Sequence, residues 1–127
     1  MKKSIIAFGI LFSVLATANA NVNPRVDNIR TINTKTKNVA PISLAVAQND
    51  YYTVKRFIEL GADIEVKEKT IGMTPLMYAA RYNNVKLLKL LVDNGASLEE
   101  KSKLDMNALD YAKLSNATDA VAFLETL

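Results

Sequence analysis

The side chains able to do chemistry are few in this sequence. It contains no His, no Cys and no Trp, which removes imidazole acid/base work, thiol and disulfide chemistry, and metal sites built on imidazole or thiolate. Two acidic pairs remain, Asp63 with Glu65 and Glu99 with Glu100, and paired carboxylates can exchange a proton or hold a hard cation. Both pairs come within a few residues of a Gly-Ala step at the head of a polar stretch, where carboxylates keep a turn hydrated. The tyrosines Tyr51, Tyr52, Tyr78, Tyr82 and Tyr111 suggest an aromatic cage, but their spacing follows a repeat rather than a pocket. There is no calcium loop of alternating Asp, no Gly-rich phosphate loop with Lys and no Gly-x-Ser-x-Gly elbow. No catalytic residue, no cofactor and no metal are therefore expected.

The elements that position these groups repeat along the chain. Residues 41–46, Pro-Ile-Ser-Leu-Ala-Val, align with residues 75–80, Pro-Leu-Met-Tyr-Ala-Ala, and the same offset of 34 pairs Asn49 with Asn83, Gly61 with Gly95 and Ala62 with Ala96. At offset 33 a third copy places Leu109 under Leu76, Tyr111 under Tyr78 and Asn116 under Asn83. Three units result, over about 40–72, 73–105 and 106–127.

In the middle unit Thr74 is a good N-cap and Pro75 sits at the first helical position, where its missing N–H costs nothing. Leu76, Ala79 and Ala80 form a thin apolar stripe that lets a neighbouring helix approach. Asn83 or Asn84 stops this helix, because Asn tolerates the left-handed conformation of a tight turn. Val85, Leu88, Leu91 and Val92 then give the stripe of an antiparallel helix ended by Asn94-Gly95. Residues 64–73 and 98–106 are polar and read as exposed, hairpin-like turns. The fold class is all-α: a solenoid of three helix-turn-helix repeats. Tyr78 and Tyr111, at equivalent positions, are expected to stack along the inner helices. If Asn83 is left-handed, Asn83→Gly is expected to be neutral or stabilising.

The run Gly72-Met73-Thr74-Pro75-Leu76-Met77-Tyr78-Ala79-Ala80, followed by Leu91-Val92-Asp93-Asn94-Gly95-Ala96, resembles the ankyrin repeat pattern G-x-T-P-L-H-x-A-A and L-L-x-x-G-A. The first unit keeps Pro41, Ala45, Phe57-Ile58 and Gly61-Ala62-Asp63, and the third keeps Leu109, Ala112 and Leu124 while Ala108 replaces the Pro. Weaker end copies suit a stack whose terminal repeats face solvent. Two positions depart from the pattern: its His is Met77, Ser43 or Asp110, and the Gly of its helix-helix turn is Asn throughout.

Half of the 127 residues are apolar and 23% are charged, the composition of one small globular domain. Residues 1–20 read as a cleaved export signal: Lys2 and Lys3, an apolar run over 5–15, then Ala16-Thr17-Ala18-Asn19-Ala20, with cleavage expected before Asn21. About eleven apolar residues at ~1.5 Å each span roughly 16 Å, too short for a ~30 Å hydrocarbon core. The lysine-led signal resembles a bacterial one, so a periplasmic or secreted product is expected. The formal charge of +3 falls to +1 once Lys2 and Lys3 are removed. Residues 21–39 read as a polar linker or lead-in; Arg25, Arg30, Lys35 and Lys37 are spread out without aromatics, a poor nucleic-acid signal.

The resemblance implies a non-enzymatic module that binds another protein through turn tips and the inner-helix face. The register that buries Leu76, Ala79, Leu88 and Leu91 leaves Ile71, Met73, Arg81, Tyr82, Leu104, Met106 and Leu114 facing outward, so these are the candidate partner-binding residues. A different class of function is a structural or protective envelope protein that self-associates. The chemistry of the presented positions separates the two, and neither partner identity nor oligomeric state is encoded in the pattern.

Overall fold

In the middle repeat a capping Thr74 followed by Pro75 sets where the helix pair begins, in the first repeat Pro41 does so without a side-chain cap, and in the third Asn107 caps without a proline. The computed structural model describes residues 38–127, and the expected export signal over 1–20 and the lead-in as far as residue 37 lie outside them. Six helices follow in order: α1 (Pro41–Ala47), α2 (Tyr51–Glu59), α3 (Pro75–Arg81), α4 (Val85–Asp93), α5 (Ala108–Leu114) and α6 (Thr118–Glu125). No strand occurs among the described residues. The Thr74 hydroxyl accepts from the Met77 amide at 3.3 Å, while the Met77 sulfur accepts from the Thr74 amide at 3.4 Å. Asn107 and Asp110 make the same reciprocal pair at the start of α5, at 2.9 and 3.0 Å. In α1 this third helical position is Ser43, whose buried hydroxyl has no hydrogen-bond partner.

Each helix pair turns through a left-handed asparagine: φ is 58° at Asn49, 56° at Asn83 and 53° at Asn116. The sequence expectation for these turns holds. In the first two pairs the next residue then caps the second helix. Asp50 accepts from the Thr53 amide and Asn84 from the Leu87 amide, both at 3.1 Å.

The core lies between the two helix layers. Helix α3 packs on α1, on α5 and on its own partner α4. Ala45, Ala79, Ala80 and Ala112 are buried at these contacts, and their short side chains allow the inner helices to lie close. In α4 the fully buried residues are Leu87, Leu88 and Leu91, with Val85 and Val92 only half-buried. The buried face is therefore wider than the expected stripe, because α4 meets α3 on one side and α2 and α6 along its flanks.

The turns over 64–73 and 98–106 close as hairpins, with the Glu68 amide donating to the Met73 carbonyl at 3.1 Å and Ser102 to Met106 at 3.0 Å. Adjacent tips join through Lys103 N–H to the Ile71 carbonyl at 2.8 Å, and through Lys69 N–H to the Asn38 carbonyl at 3.1 Å. The tips are not wholly exposed as expected: Glu68, Gly72, Met73 and Ser102 are buried. Gly72 has φ +80°, and a Cβ there would sit 3.2 Å from Lys103 Cγ in the next tip. Close tip stacking on top of the left-handed turn favours glycine at this position, whereas the equivalent Asp105 of the last tip is left-handed with a side chain.

Candidate binding surface

The seven expected contact residues divide between the two ends of the inner helices, with one of them in the core. Met73 is 1% exposed and packs in the hydrophobic core, which corrects its assignment to the surface. It immediately precedes the N-cap Thr74, where the descending limb of the tip must fold under to enter α3. Met106 holds the same place in the last repeat and is half-buried against the core. Ile71 is likewise half-buried, and its N–H and C=O are both engaged in the tip. At the tips Leu104 alone of the candidates is fully presented, at 62% exposure.

At the other end of the inner helices Arg81, Tyr82 and Leu114 are all exposed, Tyr82 at 53% and Leu114 at 70%. Arg81 and Leu114 hold equivalent positions one repeat apart. The four ion pairs among the described residues do not include Arg81. Beside Tyr82 an open cavity of about 230 Å³ is lined by Val46, Ala47, Asn49, Asn83 and Asn84. About seven residues of helix separate this end from the tips, roughly 10 Å.

The acidic groups hold structure. The Asp63 carboxylate accepts from the Glu65 amide at 2.9 Å, and Glu65 accepts from the Ser97 amide of the next repeat at 2.7 Å. Glu100 pairs with Lys67 at 2.8 Å, and Lys67 also reaches the Lys101 carbonyl at 2.9 Å. The acid that the sequence patterns did not single out is Glu68. Its buried carboxylate accepts from the Thr70 and Gly72 amides, both at 2.7 Å, and from the Ile71 amide. Burial raises its pKa, but hydrogen bonds from the backbone of residues 70 to 73 outweigh that and hold it below the ordinary glutamate value. A Glu four residues before the left-handed Gly72 was the legible signal, though without contacts it reads as one more charge on a polar turn.

The tyrosines do not form a cage. Tyr111 is buried and its hydroxyl donates to Ser102 Oγ at 2.8 Å, whereas Tyr78 is half-buried, its phenol pKa raised by burial and then by the Glu68 charge. The aromatic pair among the described residues is Tyr51–Tyr52, edge to face at 5.9 Å, in place of the expected Tyr78–Tyr111 stack.

Helix pairs, left-handed turns and laddered tips recur three times in this geometry. The family model described as ankyrin repeats (3 copies) matches residues 42–125. This chain belongs to the ankyrin repeat family. Ankyrin repeats are protein–protein interaction modules and act as scaffolds rather than as enzymes. No curated protein matches the chain significantly. Within the ankyrin frame, Arg81, Tyr82 and Leu114 lie where the inner helices end, and Leu104 at a tip, so both sets are presented by positions the core does not need.

Proposed function

We propose that this ankyrin repeat protein is a non-enzymatic binding module that is exported, loses residues 1–20, and engages one partner protein in the periplasm or outside the cell. The observation that carries the reading is the exposed trio Arg81, Tyr82 and Leu114 beside the cavity at Tyr82. Tyr82 offers a large contact area at small entropic cost, and Arg81 supplies a charged donor without an acidic partner among the described residues. Leu104 extends the surface at the tip. Met73 has no part in it.

A photo-crosslinking residue at Tyr82 or Leu114, expressed in the exporting cell, should capture one partner chain, whereas the same residue at the outer-helix position Ala122 should not. The captured protein should begin at Asn21. The double change Tyr82→Ala with Leu114→Ser should abolish capture and leave the melting temperature nearly unchanged, since both side chains are exposed. A product of twice the mass made only of this chain would replace the reading with self-association. Retention of Met1 would refute export.

A further inference from the structure

The outer-helix layer carries a second surface, unrelated to the inner-helix trio. In α2 the buried Val54 faces the core while Tyr52, Lys55 and Arg56 are exposed, Tyr52 at 70%. In α4 the exposed residues include Lys86 and Lys89, one repeat away from Tyr52 and Lys55. The Lys86 ammonium lies 4.2 Å from the centre of the Tyr51 ring, which joins the first turns of the two helices into one patch. None of Lys55, Lys86 and Lys89 forms an ion pair among the described residues, and Arg56 has only an exposed contact with Glu59 at 3.5 Å.

Two features distinguish this patch from an ordinary solvated face. Solvated faces balance the two signs, but here the bases Lys55, Arg56, Lys86 and Lys89 outnumber the acids Glu59 and Asp93 on the exposed faces of α2 and α4, and the exposed face of α6 carries Asp119 and Glu125 with no base. In α4 the charges also oppose the helix dipole: Lys86 lies in its first turn, which holds no acid, and Asp93 stands at its C-terminal end. Stabilising this helix would call for the reverse order.

We propose that the outer-helix face of the first two repeats docks on an anionic lipid bilayer, with Lys55, Lys86 and Lys89 on headgroup phosphates and Tyr52 at the polar–apolar boundary. Charge complementarity specifies an anionic occupant, and the aromatic geometry specifies which one. Rings that bind successive bases lie parallel to them, whereas Tyr51 and Tyr52 meet at 87° and one face of Tyr51 is covered by Lys86. A tyrosine with an exposed apolar body and a polar tip, beside long lysine stems, suits a membrane interface. The contact is peripheral: no described helix is long and apolar enough to cross a bilayer.

The test is vesicle co-sedimentation of the full chain, comparing phosphatidylcholine with phosphatidylcholine–phosphatidylglycerol. The variant Lys55→Gln with Lys86→Gln and Lys89→Gln should lose about a hundredfold in affinity for the anionic vesicles, since each surface lysine contributes roughly fivefold. The cations at residues 1–37 are the same in both proteins, so the difference reports on the patch. Tyr52→Ser should lose a further few-fold, and binding should weaken as salt rises. Single Lys→Gln variants giving graded losses with unchanged thermal melts guard against misfolding of the triple variant. Equal vesicle binding by wild type and triple variant overturns the proposal. So does a triple variant that differs from wild type only in losing a single-stranded oligonucleotide, with vesicle binding unchanged, which would assign the face to nucleic acid.

Discussion

At Asn83 two requirements act on one side chain. Its backbone is left-handed, with φ 56°, so glycine there would relieve a steric cost. Its side-chain oxygen also accepts from the Ala120 amide at 2.9 Å, in the third position of α6. The N-cap of α6 is Ala117, which has no side-chain acceptor, so Asn83 supplies this cap from the preceding repeat. The sequence expectation for Asn83→Gly counted only the first requirement. With the cap included, Asn83→Gly should cost about 1 kcal/mol in urea unfolding. In an Ala117→Asp background, where α6 has a cap of its own, the same change should be neutral or stabilising. Equal effects in both backgrounds would show that the long-range cap contributes nothing.

Among the elements, the tip over 64–73 depends on a single carboxylate. Glu68 gathers the amides of Thr70, Ile71 and Gly72, and Lys103 of the next tip reaches the Lys69 and Thr70 carbonyls that remain. Because the folded-state pKa of Glu68 is depressed, its contribution to stability is fully present above the unfolded value, near 4.5, and is lost as pH falls through the folded value. Glu68→Gln should lower stability at neutral pH by about 2 kcal/mol, as expected for hydrogen bonds to a charged group. It should also flatten the fall in stability as pH drops below about 4.5. Denaturant melts across that range measure both effects, and an unchanged acid limb would mean that Glu68 is not ionised in the tip.

Across the whole repeat unit, each repeat touches only its neighbours, so the central one carries the array. About 90 residues at roughly 0.05 to 0.15 kcal/mol each give an overall stability of about 5 to 13 kcal/mol. Leu91 is fully buried in α4, the outer helix that lies between α2 and α6. Leu91→Ala should cost about 2 to 5 kcal/mol, enough to unfold an array at the low end of that range. Loss of the whole helical signal in one transition at lower urea would match this. Selective melting of α6 would point to uncoupled repeats. Charge also divides unevenly along the chain: residues 38–127 hold ten basic and twelve acidic groups, residues 1–37 six and one. The net basic balance of the chain thus belongs to its first residues, and the basic face proposed for lipid is a local arrangement within a slightly acidic array.

Periodicity and local chemistry were legible along the chain. Thr74 with Pro75 starts the inner helix of the middle repeat, an asparagine turns left-handed at the same place in three repeats, and small alanines mark where helices meet. These features act within about four residues, so spacing alone reveals them. Met73 was misread because a hydrophobic residue at the edge of a polar turn looks the same along the chain whether it ends up buried or exposed. Asn83 was half legible: its φ follows from its place in the turn, but its acceptor role depends on the amide of Ala120, 37 residues later. The patch of Tyr52, Lys55, Lys86 and Lys89 went unseen for the same reason, since its members fall on two helices that only stacking brings together. Contacts within a repeat are specified by sequence neighbours, whereas contacts between repeats arise from packing, and the candidate surfaces of this protein lie across those junctions.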